Sequence, residues 1–380
     1  MDDVIVIGAG PAGSTAARLL ARQGFHVRVL EQSQFPRTKP CGGAITSRAL
    51  PLLPPEFSGQ VRSAPTQWTF RGRKGSRTIT TASPYCYTVE RRSFDLWLAE
   101  QAQEAGAAVS FQQKVVSLSF DNAVYTAATQ SGERFQARWL IGADGAKGVT
   151  SRLVGIPRAR NGAAVETEIA VSPERFAQWQ DRVEIDVTRY PWGYAWVIPK
   201  GGALNIGVGS FKAGKLPPLK DLMAAYLHQV LPDYSAPLDI LAHPLPYRTR
   251  YAPLAADHAL LIGDAAGLMD SFSAEGIYSA LYSAHVAAES VGLALTGKTQ
   301  GVLGYASAIR ERFWTQLKPA VKMSRLFYPL AGFWADWFVG HTDLLEEYLQ
   351  VTQGLSSYDV LLRKTESALA RQLRLRPLAR

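Results

Sequence analysis

Near the start of the chain an unbroken apolar run, Val4-Ile5-Val6-Ile7, leads into Gly8-Ala9-Gly10-Pro11-Ala12-Gly13. A helix-compatible stretch from Ser14 to Gln23 follows, closed by Gly24. This order predicts a buried strand, a tight glycine turn and a helix with a glycine stop. A second β-type run, His26 to Leu30, ends on Glu31, eighteen residues after Gly13. In such a unit the glycines supply a sharp turn, room for a pyrophosphate to reach the backbone, and close packing of helix on sheet. The helix N-terminus then offers free N–H groups and a partial positive charge to the phosphates. Glu31 is placed to accept hydrogen bonds from an adenosine ribose.

Further along, Gln32 to Gly43 loses periodicity and reads as a loop punctuated by Pro36 and Pro40. Ala44 to Leu53 reads as a helix. Ser63 to Val89 alternates as a β-meander, Arg91 to about Ala105 is an amphipathic helix stopped by Gly106, and Val109 to Phe120 is again strand-like. Trp139 to Gly145 and Ala259 to Gly267 are two more strand-to-turn passages, each carrying an acid, Asp144 and Asp264. Gly162 to Gly209 is mostly short strands with interleaved aromatics. Leu219 to Val230, the alanine-rich Gly276 to Leu295 and the remainder, Tyr305 to Ala370, are helical. The expected class is α/β: a Rossmann-type dinucleotide-binding domain (1–60, 90–160 and 250–300) interleaved with a mostly antiparallel β-sheet substrate domain (61–89 and 161–249). A helical C-terminal region (301–380) completes it.

Composition narrows this picture. With 380 residues, 47% hydrophobic and 19% charged, the chain is globular and long enough for two lobes. Two cysteines and an N-terminus without a signal-peptide pattern point to a reducing, cytoplasmic location. The six histidines show no metal-ligand spacing, so no metal site is expected. A net charge of +9 suits anionic lipid, an anionic substrate or an acidic electron donor. No zinc-finger spacing, RNA-binding signature or basic helix run points to nucleic acid.

No apolar run is long enough to span a bilayer. However, Leu326, Phe327, Leu330, Phe333, Trp334, Trp337 and Phe338 recur at three- and four-residue steps after Lys318, Lys322 and Arg325, with Pro329 expected to kink or start the helix. This stripe fits either a peripheral contact with the inner membrane face, supported by the basic tail Arg363 to Arg380, or packing on the substrate lobe.

Three strand-to-turn sites exceed what a simple nucleotide domain requires. Asp264 suits a polyol chain, and the helix start at Gly276 suits a ring that becomes anionic. Adenosine, pyrophosphate, polyol and ionisable ring together describe FAD. Gly8 to Gly13 with Glu31, Trp139 to Gly145, and Ile262-Gly263-Asp264 resemble the flavoprotein class that includes aromatic hydroxylases. Within it, Lys39-Pro40-Cys41-Gly42-Gly43-Ala44 and Tyr194-x-Trp196-x-Ile198-Pro199-Lys200 followed by Gly207 resemble the geranylgeranyl reductase family, which usually has Phe at the position of Ile198.

The resemblance implies that Gly8, Gly10, Ala12, Gly13 and Glu31, with Val115, serve the adenosine diphosphate end of FAD. It implies that Arg91 steadies the phosphate or polyol and that Asp264 holds the ribityl chain. Gly276 and Ile277 would meet the pyrimidine edge, and Cys41, Gly42 and Ala44 would lie along the ring. Tyr194, Trp196 and Pro199 would line a prenyl channel, although the two aromatics also fit the core of a sheet. Cys41 and Tyr194 are the candidate catalytic residues, Cys41 fitting equally a small buried packing residue.

The implied activity is FAD-dependent saturation of carbon-carbon double bonds in a geranylgeranyl-type isoprenoid, with NADPH or reduced ferredoxin as electron donor. The alternatives are a monooxygenase or halogenase of the same fold, or a membrane-associated flavoprotein electron carrier.

Overall fold

The computed structural model describes the chain except residues 189, 191, 213–217, 299–301 and 375–380, so the end of the basic tail lies outside the described residues. Apolar strands without alternation form the centre of an eight-stranded sheet. Asp2–Ile7 runs parallel to Val27–Leu30 on one side and to Arg134–Gly142 on the other, with Val4 opposite both Val27 and Trp139. Ala108–Ser110 and Ala259–Leu261 extend this parallel arrangement outward. Strands buried on both faces read as continuous hydrophobic runs. Here one face, with Val4, Val6, Val27 and Val29, is covered by the helices Pro11–Ala21 and Ile277–Leu295, which pack on one another, and on the other face Ile5, Ile7 and Leu30 pack with Val115 and Tyr125.

The second sheet has seven strands, in the order Leu241–Tyr247, Arg160–Ala170, Ala203–Ser210, Gly193–Pro199, Arg182–Asp186, Gln67–Gly72 and Gly75–Thr80. It is antiparallel throughout except where Arg182–Asp186 meets Gln67–Gly72. Its strands alternate, so its faces differ. Ala195, Val197, Ile206 and Val208 point to the helix Leu219–Val230, whereas Trp196 and Ile198 are on the opposite face, which the segment around Gly42 and the C-terminal helices share. Those helices include Trp314–Phe327, Ala331–Val339, Thr342–Gln353 and Tyr358–Arg374.

Two local expectations are corrected. Ala44 to Leu53 is not an α-helix: Ala44–Thr46 pairs with Cys86–Val89, and Ser47–Leu52 is a 3-10 turn that contains Pro51. Proline removes an N–H donor and crowds the preceding turn, which prevents an α-helix here. The Ser63 to Val89 segment is not one meander. Gln67–Gly72 and Gly75–Thr80 join the seven-stranded sheet, while Val61–Ser63 and Cys86–Val89 form a separate three-stranded sheet with Ala44–Thr46. Pro65 and Pro84 stand at the two crossings between sheets.

Candidate active site

The glycine turn after Ile7 is tightly constrained on its inner side. A Cβ at Gly13 would lie 1.9 Å from the Gly8 carbonyl oxygen, and one at Gly8, where φ is +100°, would lie 2.6 Å from that of Ala143. Gly10 differs: its nearest neighbour in that direction is Arg37 Nη2, at 3.9 Å. The turn therefore closes on the sheet and opens toward a guanidinium. Glu31 accepts hydrogen bonds from the Ala9 N–H (2.8 Å) and the Ser33 N–H (2.9 Å), which places its carboxylate beside the turn. Val115 packs in one cluster with Ile7 and Leu30 of the central strands.

Sequence reasoning missed Arg37. Asp95 holds both it and Arg91: Arg37 Nη2 lies 3.0 Å from Asp95 Oδ2, and Arg91 makes a two-pronged pair at 2.7 and 2.8 Å. Arg37 Nη1 is buried without a partner, beside a cradle that a Cβ would fill. A buried, unsatisfied donor next to an open glycine fits the pyrophosphate of a dinucleotide. Arg91, expected at the phosphate or polyol, is buried against Asp95 and also faces the Cys41 thiol. The available signal for Arg37 was weak: one of two cations, with Lys39, in the loop between Pro36 and Pro40.

At the other end, Asp264 opens the short helix Gly263–Ala266, and its Oδ1 would lie 3.4 Å from a Cβ at Gly276. Asp264 and the N-terminus of the Ile277–Leu295 helix are thus adjacent, as expected. His243 Nε2 stands 3.9 Å from Asp264 Oδ2, and Lys39 Nζ lies 2.7 Å from His243 Nε2. Burial would push the Asp264 carboxyl up, but His243 and Lys39 together hold it below its usual value. Burial and the charge of Arg91 push the Lys39 amine down to about 8. Asp144 lies behind the glycine turn, where its Oδ2 accepts from the Val149 and Thr150 N–H groups and orders the chain there.

The Lys39 to Ala44 loop docks on the seven-stranded sheet. The Cys41 N–H donates to Glu166 Oε1 at 2.5 Å, and the Cys41 carbonyl accepts from Lys200 Nζ at 3.1 Å. Lys200 also donates to Glu168 Oε2 at 2.9 Å. Both polar groups of one peptide residue are thus held by charged side chains of the sheet. Gly42 lies flat on it, since a Cβ there would come within 2.6 Å of Ile198 Cδ1. Gly43, at φ +70°, would clash at 2.2 Å with the Val89 carbonyl.

Trp196 covers Gly207, where a Cβ would fall 2.2 Å from its ring, and its indole N–H donates to Asn205 Oδ1 at 2.7 Å. Glu166, a buried acid on an alternating strand, was not foreseen; burial pushes its carboxyl up.

Removing this latch has a measurable consequence. Glu166→Leu leaves the Cys41 N–H unpaired at a cost of about 1 to 3 kcal/mol, so the loop should open roughly ten- to hundredfold more often. Alkylation of Cys41 in the FAD-loaded protein should accelerate accordingly, read by peptide mass with buried Cys86 as the internal reference. Glu166→Gln keeps an acceptor and should stay near wild type. Equal labelling in all three proteins would show that the loop is held by packing alone.

A narrow cavity of about 80 Å³ lies between this sheet and the C-terminal helices. Trp68, Phe70, Ile185, Val187 and Tyr194 line it from the sheet, Phe272 and Ser273 from the loop before Gly276, and Phe327, Tyr328, Leu345 and Leu361 from the helices. Tyr194 donates to the Ser273 carbonyl at 2.6 Å, and Tyr328 to that of Phe272 at 2.5 Å. Their polar tips are therefore satisfied, and no charged side chain lines the cavity among the described residues. Of the expected channel residues only Tyr194 is in its wall; Trp196 and Pro199 lie outside it.

Glycine turn, acid at the second strand, Arg37 with its free Nη1 and Asp264 beside a helix start together define a Rossmann-type flavoprotein. Residues 1–190 match the FAD binding domain family. The chain is 32% identical over 337 residues to a menaquinone reductase of Mycolicibacterium smegmatis, covering 80% of this chain and 78% of that one. It is 30% identical over 305 residues to a digeranylgeranylglycerophospholipid reductase of Methanopyrus kandleri, covering 76% and 79% respectively. The structure of a geranylgeranyl bacteriochlorophyll reductase-like protein of Thermoplasma acidophilum shares the fold, with a TM-score of 0.79 at 23% identity over 96% of this chain and 98% of that one. The chain belongs to the geranylgeranyl reductase family of FAD-dependent oxidoreductases.

Proposed function

We propose that this enzyme saturates carbon-carbon double bonds in the isoprenoid chain of a lipid. The observation that carries this reading is the cavity: apolar, aromatic, free of charged lining residues among those described, and with Tyr194 and Ser273, three residues before Gly276, in its wall. An apolar cavity of about 80 Å³ suits a short length of prenyl chain, while a quinone ring, glycerophosphate or diphosphate would stay outside. The relatives named for menaquinone and for digeranylgeranylglycerophospholipid support it, because both compounds carry isoprenoid chains.

FAD, when bound, supplies the hydride for such a reduction. The chain's own residues would do the remainder. The Gly8 to Gly13 turn with Ala12, Glu31, Arg37 and Val115 would hold the adenosine diphosphate, and Asp264 with His243 and Lys39 the ribityl chain. Gly276, Ile277, Gly42 and Ala44 would border the ring. The cavity walls would hold the alkene in line and exclude water. The faces of Trp68, Phe70 and Phe272 favour positive charge developing on an alkene carbon.

For the proton, Cys41 is the stronger candidate. The Tyr194 hydroxyl is committed to the Ser273 carbonyl, and burial pushes its pKa up, which makes it a poorer acid. NADPH or reduced ferredoxin would reduce the flavin, and the enzyme would work in the cytoplasm at the inner membrane face.

Anaerobic incubation with menaquinone, an archaeal-type digeranylgeranyl lipid, geranylgeranyl chlorophyllide and geranylgeranyl diphosphate, with each donor in turn, tests the proposal by mass. Gain of hydrogen pairs in a chain-bearing lipid without oxygen is the expected result. Oxygen-dependent product, or no reduction of any chain, would overturn it in favour of an oxygenase-type or electron-carrying flavoprotein.

A further inference from the structure

The stripe between Arg325 and Phe338 does not stay on one face. Proline at 329 interrupts the helix, so that Trp314–Phe327 ends, Tyr328–Leu330 turns as a 3-10 segment, and Ala331–Val339 restarts in a new direction. Phe327, Trp334, Trp337 and Phe338 go inward and pack on the seven-stranded sheet, with Trp334 only 4% exposed and Trp337 8%. Leu326, Leu330 and Phe333 go outward, at 38%, 62% and 51% exposure. Large apolar side chains left this open are few among the described residues, and these three fall within eight positions of one another. Contiguous exposure of that kind marks an interaction site more often than isolated apolar residues do.

The chemistry around them selects the partner. Lys318, Lys322 and Arg325 are exposed at steps of four and three on the preceding helix, which places them on one face leading to Leu326. The one acid between Lys318 and Phe338 is Asp336, and Arg73, itself exposed, pairs with it at 3.2 Å. The patch is therefore apolar at its tip and cationic around it, on a chain of net charge +9. Behind it, Met323, Phe327 and Tyr328 of the same turns line the apolar cavity.

We propose that Leu326, Leu330 and Phe333 dip into an anionic lipid bilayer while Lys318, Lys322, Arg325 and Arg73 meet its headgroups. Apolar side chains ringed by cations bind such an interface through buried area and charge together. The surface itself stands on exposure and charge. Only its purpose, passing a prenyl chain from bilayer to cavity, rests on the isoprenoid reading above. No helix among the described residues is long and apolar enough to cross a membrane, so the contact is peripheral.

Flotation of the FAD-loaded protein with vesicles of equal parts phosphatidylcholine and phosphatidylserine tests this. Wild type should float at low salt and be released at high salt. Leu330→Ser/Phe333→Ser and, separately, Lys318→Glu/Lys322→Glu should bind about tenfold less, with flavin content and elution volume unchanged. Reduction of a detergent-dispersed substrate by these variants should match wild type. Failure of wild type to float, equal flotation of both variants, or a dimer that the serine variant converts to monomer would overturn the assignment, the last by making the patch a self-interface. Absence of any substrate reduction alongside normal flotation would instead count against the isoprenoid reading and leave the surface standing.

Discussion

Gly10→Ala is expected to cost the protein its flavin while leaving the apoprotein folded, whereas Gly13→Ala should cost it both. The two glycines sit three residues apart in one turn and face different surroundings. Beside Gly10 the space is open up to Arg37 Nη2 at 3.9 Å, so a methyl group meets no protein atom closely. It would instead occupy the space where a pyrophosphate must approach the backbone and the unpartnered Arg37 Nη1. Losing one charge-assisted hydrogen bond of about 1.5 to 3 kcal/mol weakens FAD roughly tenfold to somewhat over a hundredfold.

At Gly13 the methyl group lands 1.9 Å from the Gly8 carbonyl oxygen, and the helix Pro11–Ala21 must lift off the strand Asp2–Ile7. Flavin absorbance per protein and the melting temperature of flavin-stripped protein separate the outcomes. An unchanged flavin ratio in Gly10→Ala would show that the phosphates do not lie in this cradle.

Local patterns made the nucleotide half of the molecule legible. Strand, turn and helix from Val4 to Gly24 are consecutive, their periodicity is unambiguous, and the helix Ile277–Leu295 has the length and alanine content that its partner Pro11–Ala21 requires. Asp264 and the helix start at Gly276, twelve positions apart, were also readable, each from its own local pattern. What could not be read were contacts that the loop before Ala44 makes with distant strands. Glu166 reaches Cys41 across 125 residues, and Lys39 reaches His243 across 204. An acid or a histidine on an alternating strand carries no mark of what faces it.

The aromatic stripe was legible as a stripe, but one proline decided which members turn inward. Trp196 looked like a channel residue because aromatics at alternate positions share a face. It is Gly207, with no side chain, that lets its ring lie flat on the neighbouring strand instead of standing in the cavity.

The cavity itself is assembled from segments spread between Trp68 and Leu361, so no stretch of sequence displays it. Its role can nevertheless be tested at a single position. Ile185 lies between Phe70 and Trp196 in register, on the strand Arg182–Asp186, and its side chain faces the cavity. Its neighbours Glu184 and Asp186 turn to the opposite face, where Arg71 pairs with both. Tryptophan at 185 would therefore grow into a space of only about 80 Å³ and take up most of it without disturbing those ion pairs.

A prenyl chain that must share that space meets an overpacking penalty of about 1 to 3 kcal/mol, so kcat/KM for chain-bearing lipids should fall roughly ten- to hundredfold. Flavin content should not change, because the Gly8 to Gly13 turn, Arg37 and Asp264 contribute nothing to the cavity wall. Chemical reduction of the flavin by dithionite should also proceed as in wild type. Ile185→Ala widens the same wall and should retain activity, which separates a blocked slot from a damaged strand. Undiminished reduction of long-chain lipids by Ile185→Trp would mean that the substrate reaches the flavin by another route, and that the aromatic slot serves only to pack the C-terminal helices on the sheet.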